Sequence, residues 1–238
     1  MKRSQLVSFA LCASFALTIG IPQASAQGVD CLHGEHPETH AECVASWVQR
    51  FYDQTTSVEA DFQQFFWTRV YDRTDTSRGH LRIVRPGHIR MDYSSPSNKV
   101  VVGNGDQILY YEPVEGTSGQ FYRATTDAAS RALGFLTGTS RLDRDFTFAI
   151  VESSAPVAGT VCLELHPRAP DPHYARMRLY VSSAAATRGA VVRVSLEDPD
   201  GNWNTFHFSD LHVNRDIEAS VFAYTPPEGA REITAPSR

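Results

Sequence analysis

The chain has 238 residues, of which 42% are hydrophobic and 21% charged, and a formal net charge of −5 at neutral pH. That length supports one domain with a substantial core. The acidic balance argues against nucleic acid and against electrostatic adhesion to anionic lipid, so any lipid handled here is held through its tails.

Lys2 and Arg3 open the chain, an apolar run extends from Leu6 to about Ile21, and Ala24-Ser25-Ala26 offers a small-x-small cleavage pattern. Residues 1–26 therefore read as a secretory signal peptide, with the mature chain beginning at Gln27. Ser8, Ser14, Thr18 and Gly20 interrupt the run, which favours cleavage over a membrane anchor. Neither Cys12 nor Cys31 follows the small residues of a lipobox. No later stretch reaches the ~20 apolar residues of a bilayer span. The expected product is a soluble exported protein of 212 residues with a net charge near −7.

Residues 27–40 form a segment rich in cysteine and histidine, and residues 41–238 are expected to form the folded domain. Cys31, His33, His36, His40 and Cys43 are spaced densely enough to suggest zinc. In an oxidising compartment the two thiols are better read as a disulfide, tying the N-terminal segment to the first helix. With Cys162 as a third cysteine, other pairings stay open. No metal or cofactor is called for.

Thr39-His40-Ala41-Glu42 reads as a capping box, with Thr39 as N-cap. Val44, Trp47, Val48, Phe51 and Tyr52 then recur at helical spacing, predicting a helix from about residue 40 to 54. From Val58 the period changes to two. Val58, Ala60 and Phe62 alternate with Glu59, Asp61 and Gln63 in a strand running to about Val70. Leu81, Ile83 and Arg85 share one face of the next strand, and Ile89, Met91 and Tyr93 one face of a third. Val100–Val102 and Ile108–Tyr111 flank the hairpin signal Asn104-Gly105. Between about Thr125 and Leu142 the pattern predicts one or two short helices with glycine joints. Strands resume at 146–151, 161–166, 177–181, 191–196 and 205–213, giving about ten in all. Cys162 alternates into one of these as a buried free thiol. Asp198-Pro199-Asp200-Gly201-Asn202 lacks the ligand spacing of a calcium loop and reads as a turn.

No Gly-x-Ser-x-Gly elbow, phosphate loop or His-Glu-x-x-His motif occurs, so the chain is not expected to be an enzyme. The informative residues are the bulky apolar ones on the inward strand faces, which from pattern alone suit an ordinary β-core. Arg85 is the odd member. Strand parity places it on the same face as Leu81 and Ile83, where a charge is costly unless hydrogen-bonded. At the strand end before Pro86 that parity is open to break.

Several segments resemble the LolA family of periplasmic lipoprotein carriers. They are Ser57-Val58-Glu59-Ala60-Asp61-Phe62-Gln63-Gln64, then Gly79-His80-Leu81-Arg82-Ile83-Val84-Arg85-Pro86-Gly87-His88-Ile89-Arg90-Met91, then Asn104-Gly105 with Tyr110-Tyr111-Glu112-Pro113. Phe208-Ser209-Asp210-Leu211, Asn214 and Phe222-Ala223-Tyr224-Thr225-Pro226-Pro227-Glu228-Gly229 follow in order, and the likeness covers roughly residues 42–233. It implies a mainly β fold: an incomplete antiparallel barrel, with an N-terminal helix and a helical lid around Ala128–Leu136 over an apolar cavity. Acyl chains would lie against Val58, Phe62, Leu81, Ile83, Ile89, Met91 and Tyr93, and against Leu133, Phe135 and Leu136 of the lid. Arg85 would bond to the lid and hold it shut when empty. The partners implied are lipoprotein acyl chains, an inner-membrane ABC-type releaser and an outer-membrane acceptor, with the carrier a monomer. Ile89 and Met91 depart from the Phe and Trp of better-known members, and residues 31–43 have no clear counterpart there. A carrier of another lipid, or a half-barrel sensor module, would share the fold.

Overall fold

A computed structural model describes residues 31, 36, 39–105, 107–125 and 134–235. The expected signal peptide, His33, most of the N-terminal segment and residues 128–133 of the expected lid lie outside them.

The first helix, α1 (Ala41–Asp53), turns Val44, Trp47, Val48 and Tyr52 to one buried face, as their spacing requires. Its start differs from the expected capping box. His40 takes the N-cap position without a side-chain cap, and the Thr39 hydroxyl, one residue outside the helix start, donates to the His36 carbonyl at 2.8 Å. Glu42 still lies in the first turn, where a negative charge complements the helix dipole. Cys31 and Cys43 are joined by a disulfide, and the Trp47 indole donates to the Cys31 carbonyl. Both contacts bind the N-terminal segment to α1.

The strands are β1 (Ser57–Thr68), β2 (Arg73–Val84), β3 (His88–Ser95), β4 (Val100–Asn104), β5 (Gln107–Glu112) and β6 (Gln120–Thr125). Two one-turn helices follow, α2 (Gly134–Thr137) and α3 (Leu142–Asp145). Then come β7 (Phe146–Ile150), β8 (Thr160–Pro167), β9 (Arg176–Ser182), β10 (Val191–Glu197), β11 (Trp203–Val213) and β12 (Arg231–Glu232). All twelve form one open sheet in the order β12-β6-β5-β4-β3-β2-β1-β11-β10-β9-β8-β7. Its pairings are antiparallel except β12 on β6. The fold is mainly β, as expected. β6 and β12 exceed the ten strands anticipated. The first carries the weakly alternating Gln120-Phe121-Tyr122-Arg123, and the second is a two-residue pairing that only its neighbour creates. β1 also stops at Thr68 rather than Val70, because the chain turns there.

β1 is the spine, paired along its length with β2 on one side and β11 on the other. Its even-numbered residues point to the inner face and its odd-numbered ones outward, the period of a pleated strand. The inner face holds the core, and α1 lies across its β7–β8 end, touching both short helices. On the outer face the chain returns after β11, and residues 219–222 pack on β3 and β4. Arg90 holds that return by donating to the Val221 carbonyl at 2.8 Å. The Asp198 carboxylate accepts from the Asp200 and Asn202 amides, so residues 198–202 form the expected turn. Cys162 is a buried free thiol, pushed above its ordinary pKa by burial.

Candidate lipid-binding face

Seven of the expected acyl-contacting residues are brought together. Val58, Phe62, Leu81, Ile83, Ile89, Met91 and Tyr93 all lie on the inner face within one apolar cluster, which Leu136 joins from α2. Cross-strand register explains the gathering. Val58 sits opposite Ile83 and Ala60 opposite Leu81, while Leu81 faces Met91 and Ile83 faces Ile89. Leu133 and the Phe135 side chain fall outside the described residues.

Phe62 is the centre of an aromatic array. Its ring meets Tyr93 edge-on at 5.0 Å and Phe206 at 6.0 Å, and Phe206 in turn stacks on Phe208. Such contacts add to the burial of the rings. Gly79 makes the array possible: a Cβ there would come within 2.6 Å of the Phe62 ring, so any side chain would evict it.

A polar chain crosses this face. The Tyr93 hydroxyl donates to Gln64 Oε1 at 2.9 Å, and Gln64 Nε2 donates to Asn204 Oδ1 at 2.8 Å. Burial raises the Tyr93 pKa well above its ordinary value, so the phenol stays a neutral donor. Sequence reading missed Gln64 and Asn204. Their inward parity was legible, but their meeting was not. It also missed the continuation of the apolar face through Val101, Ile108 and Tyr110, where Tyr110 stacks on Tyr122 at 4.7 Å. The alternation in β4 and β5 was the signal for it.

Arg85 lies one residue past β2. Its backbone amide donates to the Thr56 carbonyl and its Nη1 to the Thr55 carbonyl at 3.4 Å, so the acceptor is the loop after α1. Its Nε is buried without a partner among the described residues. Gly138 presses on the guanidinium with φ +81°, and a Cβ there would come within 2.7 Å of Nε. Burial holds the Arg85 pKa below its ordinary value, opposed by the nearby Asp53 and Tyr52. The segment carrying α2 and α3 has two further ties. Gly87 N–H donates to the Thr137 carbonyl at 2.9 Å, and Leu142 N–H donates to Gln49 Oε1 at 3.1 Å. The expected charge on the inner face is thus carried past the strand end into the junction of α1, β2 and α2.

The outer face has different chemistry. His80 bridges Asp61 and Glu59, and Arg82 reaches Glu59 and Asp92. A groove of about 560 Å³ opens beside Asp61, Gly79 and Asp92, and one of about 340 Å³ beside Arg178, Arg193 and Trp203. Among the described residues no three His, Cys, Asp or Glu side chains gather as a metal site, and no helix is long and apolar enough to cross a membrane.

The family model described as "Outer membrane lipoprotein carrier protein LolA" matches residues 53–225. The outer-membrane lipoprotein carrier protein of Dechloromonas aromatica is 27% identical over 185 residues, covering 76% of this chain and 82% of its own. That of Neisseria meningitidis serogroup C is 23% identical over 235 residues, covering 96% and 97%. Among solved structures, a LolA superfamily protein of Nitrosomonas europaea aligns with 77% of this chain and 97% of its own, at 12% identity and a TM-score of 0.44. The family model spans well over half of the sequence, and the chain belongs to the LolA family.

Proposed function

We propose that this protein is a periplasmic carrier that shields the acyl chains of lipoproteins and moves them from the inner to the outer membrane. The observation that carries this reading is the continuous apolar inner face from Val58 through Ile89, Met91 and Tyr93, in a chain of a family whose relatives are named as lipoprotein carriers. Residues 1–26 export the chain, residues 27–40 are an N-terminal extension stapled to α1, and the remainder is the carrier domain.

Each acyl methylene removed from water is favourable by about 0.8 kcal/mol, so a carrier needs an opposing term to release its cargo. In this reading that term is closure of the segment around α2 over the inner face, through the Gly87–Thr137 and Leu142–Gln49 ties and the packing of Gly138 on Arg85, which its bond to the Thr55 carbonyl holds at the junction. A hydrogen bond from a charged donor contributes roughly 1.5–3 kcal/mol, enough to tune release without preventing loading. Leu133, Phe135 and Leu136 would give that segment its apolar underside. Cargo would arrive from an inner-membrane ABC-type releaser, which supplies the energy, and leave to an outer-membrane acceptor or to the membrane itself.

Native mass spectrometry on protein purified from the periplasm, followed by lipid extraction, tests the reading. Acylated protein or diacyl-cysteine peptide bound one-to-one is the expected result. A clean apo mass with no uptake of added acylated peptide would refute it, and a free lipid in place of acylated protein would change the cargo class.

A further inference from the structure

The β1–β2 hairpin runs past one of its neighbours. Register with β3 begins only at Arg78, opposite Ser95, so residues 73–77 of β2 lack a partner on that side. At ~3.3 Å per residue the tip stands about 16 Å beyond the end of β3. At that tip Val70 and Tyr71 are 81% and 78% exposed. Among the described residues the next most exposed large hydrophobic side chain is Val114, at 40%. Isolated apolar side chains on a surface are ordinary. Two adjacent ones at the outermost point of a projecting hairpin are a different feature.

The tip is held in place. Asp72 has φ +45°, its amide donates to the Arg69 carbonyl, and its carboxylate accepts from the Trp67 indole at 3.0 Å. Arg69 N–H donates to Asn202 Oδ1, tying the hairpin to the next turn. Val70 and Tyr71 are therefore presented at little ordering cost.

We propose that Val70 and Tyr71 form a docking point for a lipid bilayer surface, inserting at the headgroup level. Their chemistry fits that environment. A tyrosine presents an apolar ring with a polar tip, the residue type enriched at membrane–water interfaces. Arg69 and Arg73 flank the pair with long side chains able to reach headgroups while their stems lie in the apolar zone. A protein partner fits less well, because two side chains fall far short of the roughly 800 Å² per partner of a stable interface. Charge is not the attraction: Arg73 is paired with Asp75, and Asp198 and Asp200 stand in the adjacent turn. Contact through two residues is weak and reversible, as a protein that must visit a membrane and leave it requires. That purpose rests on the carrier reading above, but the docking itself does not.

The test is flotation of the cargo-free protein with vesicles of phosphatidylethanolamine and phosphatidylglycerol. Val70→Glu with Tyr71→Glu should lower the bound fraction about tenfold, Tyr71→Trp should keep it, and high salt should change it little. Circular dichroism and acyl-peptide uptake should match wild type, since both positions lie away from the core. No flotation of the wild type, or equal flotation of the double variant, overturns the proposal. So does a concentration-dependent dimer that the double variant abolishes, which would assign the tip to a second copy. Failure of wild-type acyl-peptide uptake with flotation intact would instead strike the carrier reading and leave the docking point standing.

Discussion

The two halves of the sheet, divided at β1, bury their inner faces to different depths. On β8, β9 and β10, Leu163, Leu165, Met177, Leu179, Val181 and Val194 are all at 0% exposure, sealed by α1 lying across that end. On β3, β4 and β5 the corresponding residues Ile89, Met91, Val101 and Ile108 stay at 6–7%, and Tyr110 and Tyr122 are half-buried. The sealed half is packed as a core. From β3 to β5 the other half is apolar but less completely covered, and there it contains Ile89, Met91 and Tyr93, which the carrier reading assigns to cargo. One continuous sheet can thus separate stability from binding by placing its helix to one side.

The sharpest way to break this division is truncation in each half. Leu179→Ala should cost about 2–5 kcal/mol of stability, read by urea unfolding, and leave the acyl-peptide affinity of the folded protein unchanged. If Leu179→Ala weakened cargo binding as much as changes in the other half, the division would fail. Replacing Cys31 and Cys43 together by serine tests the staple on the sealed half. Their sequence separation of 12 places the expected loss near 3 kcal/mol, and a reductant should reproduce it in the wild type.

Met91→Ala belongs to the other half. Its stability cost should sit at the low end of the core range, about 2 kcal/mol, and its acyl-peptide affinity should fall about tenfold by fluorescence titration. Arg85→Leu should speed loading and slow delivery, because it removes the bond to the Thr55 carbonyl at the closure junction. Delivery at the wild-type rate would count against that role.

The smallest effect expected is electrostatic and lies on the outer face of the sealed half. Glu164 is nearly buried on the outer face of β8. Desolvation pushes its pKa up, but bonds from Arg178 and His166 more than offset this, so its folded value lies below the ordinary 4.5. A lowered folded pKa means the stabilisation is present above the ordinary value and is lost as pH falls through the folded one. Glu164→Gln should therefore flatten the acid limb of the stability profile below about pH 4.5. An unchanged acid limb would show that the pairing contributes nothing there.

Much of this molecule is legible in its sequence. Period-two alternation in Val58-Ala60-Phe62, Leu81-Ile83 and Ile89-Met91-Tyr93 marked the strands and their inner face, because a pleated strand leaves no other way to bury every second residue. Helical spacing marked the buried stripe of α1 for the same geometric reason. Local chemistry could not decide what depends on distant partners. The Thr39 hydroxyl could accept from a first-turn amide or donate to the preceding turn, and it does the second. Arg85 lies one residue past the end of β2, and only the meeting of α1, β2 and α2 there decides what its guanidinium touches. β12 exists only because β6 offers it an edge. The Tyr93–Gln64–Asn204 chain joins residues up to 140 positions apart, and the sealing of one half by α1 depends on where a helix docks. Alternation along a strand says which way a side chain points. What it points at is set by long-range pairing and packing, and those belong to the tertiary structure alone.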